Sequence, residues 1–260
     1  MVTGGGSGIG RALALALAGA GAHVVVADID EEAAAAVAAE VEAHDVRAIP
    51  VRADVTNDQE VAALAARTVD ELGGADVVCA NAGVLLQGPV SEMNVQDWEW
   101  LYGVNVFGVA RTIYAFLPHL LDQGAGHIAI TASVNSISGS GVYGSSKAAL
   151  LHLAESLHAE LGPRGVGVTV NLPAQISSRI TSSQRNRPAE FGRHVPERMA
   201  NVTDFGIDPS HVGRLTVEAI QTGELYVPVF PDGQQQRYTG PLKDRLEALQ
   251  VAVTKGSVRP

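Results

Sequence analysis

The chain predicts an α/β protein, a doubly wound parallel sheet of Rossmann type with helices on both faces. Three observations predict it. Short Val/Ile/Ala runs alternate with longer helical stretches, the signature of repeated βα units. Those runs are continuously apolar instead of alternating, as in strands covered on both faces. A glycine cluster, "TGGGSGIG", joins the first apolar residues to the first helix, where backbone N–H groups can hold a phosphate.

The elements follow in order. Val2 and Thr3 leave room for a first strand of only two or three residues, short of the usual five or so. Because every later motif is intact, the expectation is a start placed too far downstream, or a trimmed chain, and not a lost function. The segment "RALALALAGAGAHVVVA" has the outline of a signal peptide. Gly19, Gly21 and His23 break its apolar run, which falls short of the roughly 18 to 20 residues of a membrane span. A buried helix leading into the strand "HVVVAD" (23–28) is expected instead. Helix 31–44, strand 46–54, helix 58–72, strand 75–83, helix 95–122, strand 126–133, helix 143–161 and strand 165–173 come next, and right-handed crossovers wind them into one sheet. Residues 174–207 carry Pro188 and Pro196 and no clear period, and read as a mobile substrate-loop excursion. A helix near 208–222, a strand at 224–230 and a helix near 236–252 complete a single domain, 1–260.

A net charge of −10 gives no basic face for a polyanion, so neither nucleic acid nor an anionic membrane is an expected partner. Cys79 is the one cysteine. It excludes an internal disulfide and a cysteine metal cage and fits a reducing cytoplasm; no metal site is expected.

Gly4, Gly8 and Gly10 form a G-x-x-x-G-x-G loop, with Ser7 and Ile9 between them. Glycine there allows positive φ and lets the backbone approach a pyrophosphate that the helix N-terminus stabilises. Asp28 ends the second strand, 18 residues beyond Gly10. A carboxylate there accepts hydrogen bonds from ribose hydroxyls and repels a 2′-phosphate, while Ser7 and Ile29 offer no positive charge and Arg11 lies within the helix. Those residues favour NAD over NADP. In "YGSSK", Tyr143 and Lys147 stand four apart; on a helix they share a face, and the ammonium would favour the ionised phenol. A phenol with a pKa of about 10 needs such help near neutrality.

With these motifs in register, the chain resembles the short-chain dehydrogenase/reductase family over nearly its whole length. "TGGGSGIG" looks like its cofactor loop and Asp28 its ribose acceptor. "ADVT", with Asp54 and Val55, looks like its adenine-side contact, and "NAG", Asn81, Ala82 and Gly83, its strand-four turn. Asn105 in "VNVFG", Ser133 in "TAS" and the Tyr143–Lys147 pair look like its catalytic groups, and Pro173, Ile176 and Ser178 in "PAQISS" its nicotinamide-side segment.

The resemblance implies strand order 3-2-1-4-5-6-7 and hydride transfer between a secondary alcohol or ketone and NAD. It also implies named roles. Tyr143 exchanges the proton, Ser133 holds the substrate oxygen, Lys147 binds the nicotinamide ribose and lowers the tyrosine pKa, and Asn105 holds a water of the relay. A homotetramer, or a homodimer, is the implied assembly, with helices 95–122 and 147–161 exposing apolar positions. Two departures stand out. Ala174 replaces the usual glycine, and Ser133 precedes Tyr143 by only ten residues, which makes Ser136 and Ser138 the alternative hydroxyls.

Five arginines, Arg179, Arg185, Arg187, Arg193 and Arg198, and His194 crowd the excursion. They are either surface groups, solvated or pairing with Glu190 and Glu197, or a lid that meets an anionic substrate or the cofactor phosphates. The segments "PAQISSRITSSQRNRPAEFG" and "ELYVPVFPDGQQQRYTGPLKDRLEAL" are similar to a branch of the family that oxidises bulky secondary alcohols, including aryl-alkyl carbinols. A catalytically silent NAD-binding sensor or scaffold would share the glycine loop but has no need of the Tyr–Lys pair. A related epimerase or dehydratase usually has a larger C-terminal substrate region.

Overall fold

The computed structural model describes residues 1–138, 141–192 and 206–255. Seven strands, β1 (Val2–Thr3), β2 (Val24–Asp28), β3 (Ala48–Arg52), β4 (Val77–Ala80), β5 (Gly126–Thr131), β6 (Val166–Pro173) and β7 (Tyr226–Val229), form one sheet. Its order is β3-β2-β1-β4-β5-β6-β7, and every neighbouring pair is parallel.

Continuous apolar strands require cover on both sides, and the helices supply it. On one face lie α3 (Asp58–Leu72), α5 (Val109–Gln123) and α7 (Gly141–Leu161); Leu64, Ile113, Phe116, Leu120, Leu150 and Leu161 from them bury against Val25, Val78, Ile128, Ile130 and Val168. On the other face, α1 (Gly8–Gly19) and α2 (Glu31–Glu42) bury Leu13, Leu17, Val37 and Val41 against Val2, Val24 and Val26. The alternate residues of "VVV" thus serve opposite cores, which is why the run has no polar position. α8 (Pro209–Thr222) packs beside α1 and closes a smaller cluster with β7 through Val212, Ala219, Val227 and Val229.

β1 has the expected brevity yet bridges the sheet's centre, with Val2 in register with both Val26 and Cys79. Met1 extends the ladder. Its amino group donates to the Val77 carbonyl at 2.9 Å and its carbonyl accepts from Cys79 N–H at 2.9 Å. Burial holds that α-ammonium below its ordinary pKa of 8.0.

The predicted 95–122 helix is divided. α4 (Val95–Tyr102) runs through a π turn, Gly103–Gly108, into α5. Gly108 sits under Val55, where a Cβ would come within 2.7 Å of its side chain. Period-3.6 reasoning does not see one inserted residue. Short additions also went unpredicted, among them α6 (Asn135–Ser138) and the 3₁₀ turns at Arg179–Asn186 and Ala189–Phe191 within the excursion. α9 (Gln235–Lys255) ends the described chain.

Candidate active site

Strand order reverses between β1 and β4, so their C-terminal ends splay and leave a crevice. The crevice is a cleft of about 520 Å³. Gly4, Ser7, Gly8, Ile9 and Gly10 line it, as do Asp28, Asp54, Val55, Asn81, Ala82, Gly83, Tyr143, Lys147, Pro173, Ile176 and Ser178. Ser133 joins them, while Asn105 lies beneath the surface, fully buried.

At one end is the start of α1. Ser7 caps it without a side-chain hydrogen bond, and its first turn holds no acid, so the positive end of the helix meets the cleft uncompensated. The loop is packed backbone on backbone: a Cβ on Gly10 would lie 1.9 Å from the Gly4 carbonyl oxygen. Asn81 locks it from below, its Nδ2 donating to the Thr3 and Gly4 carbonyls at 3.0 and 3.4 Å. Thr3 Oγ1 accepts the Asn81 and Ala82 N–H groups at 3.0 and 3.2 Å, so β1, though short, carries the hydroxyl that joins the two turns.

Asp28 does not cap α2. Its carboxylate accepts Gly6 N–H at 2.9 Å and Asp30 N–H at 3.0 Å, while Asp30 performs the capping through Ala33 N–H at 3.1 Å. Arg11 turns away from the cleft to pair with Glu40. Asp54 Oδ1 accepts the Thr56 N–H and hydroxyl at 2.8 and 2.7 Å, which shapes the turn beside it.

At the other end, α7 places Tyr143 and Lys147 on one face. Ser133 lies near enough to the Tyr143 phenol to oppose the rise in its pKa and is itself oriented by the Asn135 N–H at 3.1 Å and the Pro173 carbonyl at 3.3 Å. The ten-residue spacing therefore still brings the two hydroxyls together. Ser136 is spent on the Lys147 carbonyl at 2.9 Å, and the side chain of Ser138 lies outside the described residues. Lys147 Nζ donates to the Thr131 carbonyl at 2.9 Å and lies 5.8 Å from the Tyr143 ring centre.

Against the expected lowering of the tyrosine pKa by Lys147 stands the burial of the phenol. Burial pushes the Tyr143 phenol up to about 12, and the nearby Ser133 hydroxyl only partly opposes it. Burial also brings Lys147 down to about 8. The side chain of Asn105 is engaged by protein groups. Its amide oxygen accepts Val84 N–H at 2.8 Å, and its Nδ2 donates to the Val84 carbonyl at 3.0 Å and to Ser146 Oγ at 3.1 Å. Its side chain thus fixes the turn after β4 under Gly83.

The segment after β6 folds over the cleft. Ser178 packs on Gly8, where a Cβ would approach its own to 2.8 Å, and Ser183 Oγ accepts Leu85 N–H at 2.9 Å. The described arginines take partners other than Glu190, and Glu197 lies outside the described residues. Arg187 pairs with Asp97 at 2.7 Å, with both side chains almost fully buried, and stacks over Trp100 at 5.1 Å. Arg179 lies 4.0 Å from Asp30, and Arg185 donates to the Arg179 carbonyl and to Ser182 Oγ at 3.1 and 2.9 Å. Arg193, His194 and Arg198 lie outside the described residues. Trp100, Val104 and Phe191, which sequence reasoning did not single out, wall the cleft near Tyr143, and Ile180 lines it as well.

Residues 1–189 match the family described as short chain dehydrogenase. The chain belongs to the short chain dehydrogenase family. The C alpha-dehydrogenase of Sphingobium sp. (strain NBRC 103272 / SYK-6) is 33% identical over 207 residues, 75% of this chain and 68% of the relative. Among solved structures, a short chain dehydrogenase/reductase from Burkholderia phymatum in complex with NAD is similar at TM-score 0.88 and 32% identity, covering 96% of this chain and 93% of that one. The apo form of LigD from Sphingobium sp. strain SYK-6 is similar at TM-score 0.77 and 26% identity, covering 100% and 97%. This short chain dehydrogenase is an oxidoreductase, and its cleft fits an adenine dinucleotide. The helix start without a side-chain cap suits a pyrophosphate, the glycine packing leaves the backbone open to it, and the Asp28 carboxylate at the end of β2 lines the same cleft as an acceptor suited to ribose hydroxyls.

Proposed function

We propose that this short chain dehydrogenase moves hydride between a secondary alcohol or its ketone and NAD, with NAD preferred over NADP. One observation carries the reading: Ser133, Tyr143 and Lys147 converge on the same cleft that holds the glycine loop and Asp28. A bound nicotinamide supplies the hydride chemistry; the protein supplies proton transfer and orientation. Tyr143 exchanges a proton with the substrate oxygen, Ser133 hydrogen-bonds that oxygen, and Lys147 holds the nicotinamide ribose. Asn105, whose side chain sets the turn beside Lys147, holds a water of the proton relay. The remaining cofactor contacts are Gly4, Ser7, Gly8, Ile9, Gly10, Asp28, Asp54, Val55, Asn81, Ala82, Gly83, Pro173, Ile176 and Ser178.

The direction of the phenol's shift has a kinetic consequence. Protonated near neutrality, Tyr143 is ready to donate to a ketone, whereas alcohol oxidation needs its base form. Oxidation should therefore gain with pH from 7 to 10, while ketone reduction, whose donor stays protonated, should hold nearly level across that range. The walls Trp100, Val104, Ile180 and Phe191 favour a bulky, partly aromatic carbinol. The test is NADH formation from NAD and a panel of secondary alcohols, with Tyr143→Phe as control. The variant should lose at least about 100-fold in turnover and keep its NAD affinity. Retention of more than a tenth of wild-type turnover, with chemistry limiting, would remove Tyr143 from this role.

The whole chain is proposed to act as one domain in the cytoplasm. The helical run Val95–Gln123 is long and apolar enough to cross a membrane by length and composition. In the fold, however, it buries Leu101, Ile113, Phe116 and Leu120 inside the protein.

A further inference from the structure

The arginines of the excursion sort by destination. Arg187 is neutralised by Asp97 away from the cleft wall. Arg179 and Arg185 line the cleft itself, on the turn that follows Ser178, the residue seated on Gly8. They stand between the start of α1, where a pyrophosphate belongs, and the Asp28–Asp30 corner, where the adenosine ribose belongs. Their counter-charges are already shared: Asp28 accepts Gly6 and Asp30 N–H, Asp30 accepts Ala33 N–H, and the Arg179–Asp30 pair is long at 4.0 Å. Burial first, then the neighbouring Arg179 charge, lowers the Arg185 pKa from its usual guanidinium value, while Asp28 and Asp30 pull it back. Arg185 is held in place by the Arg179 carbonyl and Ser182 Oγ through one nitrogen, Nη1. Two like charges lie close together beside a helix start that also lacks an anion, and a phosphate there relieves both.

We propose that Arg179 and Arg185 are cofactor-binding residues that exchange the Asp28–Asp30 corner for phosphate oxygens of the bound dinucleotide, so that the turn after Ser178 grips the cofactor from the side opposite the glycine loop. The proposal rests on the dinucleotide-binding reading above. It also changes the local picture of selectivity, because cations do stand beside Asp28, supplied from a segment some 150 residues downstream.

The experiment is a binding titration without substrate, followed by the fluorescence of Trp98 and Trp100 or by heat. Ligands are NAD, NADP, ADP and adenosine, at about 20 and 200 mM salt, and the proteins are wild type, Arg179→Gln, Arg185→Gln, the double variant and Arg185→Lys. The double variant should bind NAD and ADP roughly tenfold more weakly and adenosine unchanged. The salt dependence of NAD affinity should flatten, and Arg185→Lys should fall between, because it keeps charge without the bidentate fork. A loss shared by NAD and ADP places the guanidiniums on the pyrophosphate, and one confined to NADP places them on the 2′-phosphate; either supports the proposal. Binding of all four ligands within about twofold of wild type would overturn it, as would an equal loss for adenosine, which marks a structural effect. Wild type that binds no dinucleotide would instead overturn the functional reading beneath it.

Discussion

Asp28 is the residue on which the proposed preference for NAD rests. Both oxygens are already aimed by backbone N–H groups, so the carboxylate is a fixed acceptor for ribose hydroxyls and a fixed charge against a 2′-phosphate. A net difference of about 2.8 kcal/mol corresponds to roughly 100-fold in favour of NAD. Asp28→Ser should bring the NAD to NADP ratio of kcat/KM to within about tenfold of unity, chiefly by weakening NAD. A wild-type ratio near one would deny Asp28 that part. This residue was legible because its position after the second strand is a matter of chain distance alone. Tyr143 and Lys147 were legible for the same reason, four residues apart on a helix. The sign of the tyrosine shift was not, because it depends on how much protein surrounds the phenol, which is a property of the packing and not of spacing.

Elements were read well where one physical rule governs them. The helix expected at 58–72 spans Asp58–Leu72, with Asn57 accepting Gln59 and Glu60 N–H at its start and Gly73 left-handed at its end. The rule fails where tertiary contacts choose the backbone, as in the π turn under Val55 and the 3₁₀ turns pinned by Ser183 and Arg187. His127 was another residue the sequence did not mark. It joins β5 to β6 through Thr169 Oγ1 at 2.8 Å, and Thr169 donates its own proton to the Glu224 carbonyl at 2.8 Å, so the imidazole Nε2 is the donor. Gly167 leaves it room, since a Cβ there would lie 2.4 Å from Nδ1. Burial lowers this imidazole from 6.5 to about 4. The stability it contributes is complete above pH 6.5 and is lost as pH falls toward 4, at up to about 1.4 kcal/mol per pH unit. Urea melts across that range should show wild type losing stability faster than His127→Gln, which keeps a donor to Thr169 without a titratable ring. Parallel losses in the two proteins would show that His127 stays neutral or is solvated when folded.

For the whole molecule, the expected assembly is a homotetramer, with a homodimer as its smaller form. The surface offers a reason: Phe107 and Tyr114 are 56% and 64% exposed on the π turn and α5, beside the Arg111–Asp58 pair on a shallow groove. Light scattering at micromolar concentration should give a mass near four chains, and Tyr114→Glu should lower it. A monomer would contradict the expectation.

The sole cysteine carries one more consequence. Cys79 sits fully buried in β4, in register with Val2 on one side and Ala129 on the other, and burial raises its thiol to about 11. The sheet's central seam must therefore part before the sulfur can meet a reagent, which makes Cys79 a built-in clock for global opening. Modification by a disulfide reagent should be very slow in the native protein and should accelerate with urea along the slope of the full unfolding transition. A rate indifferent to urea would mean that β4 is uncovered by a small local motion while the rest of the sheet stays shut.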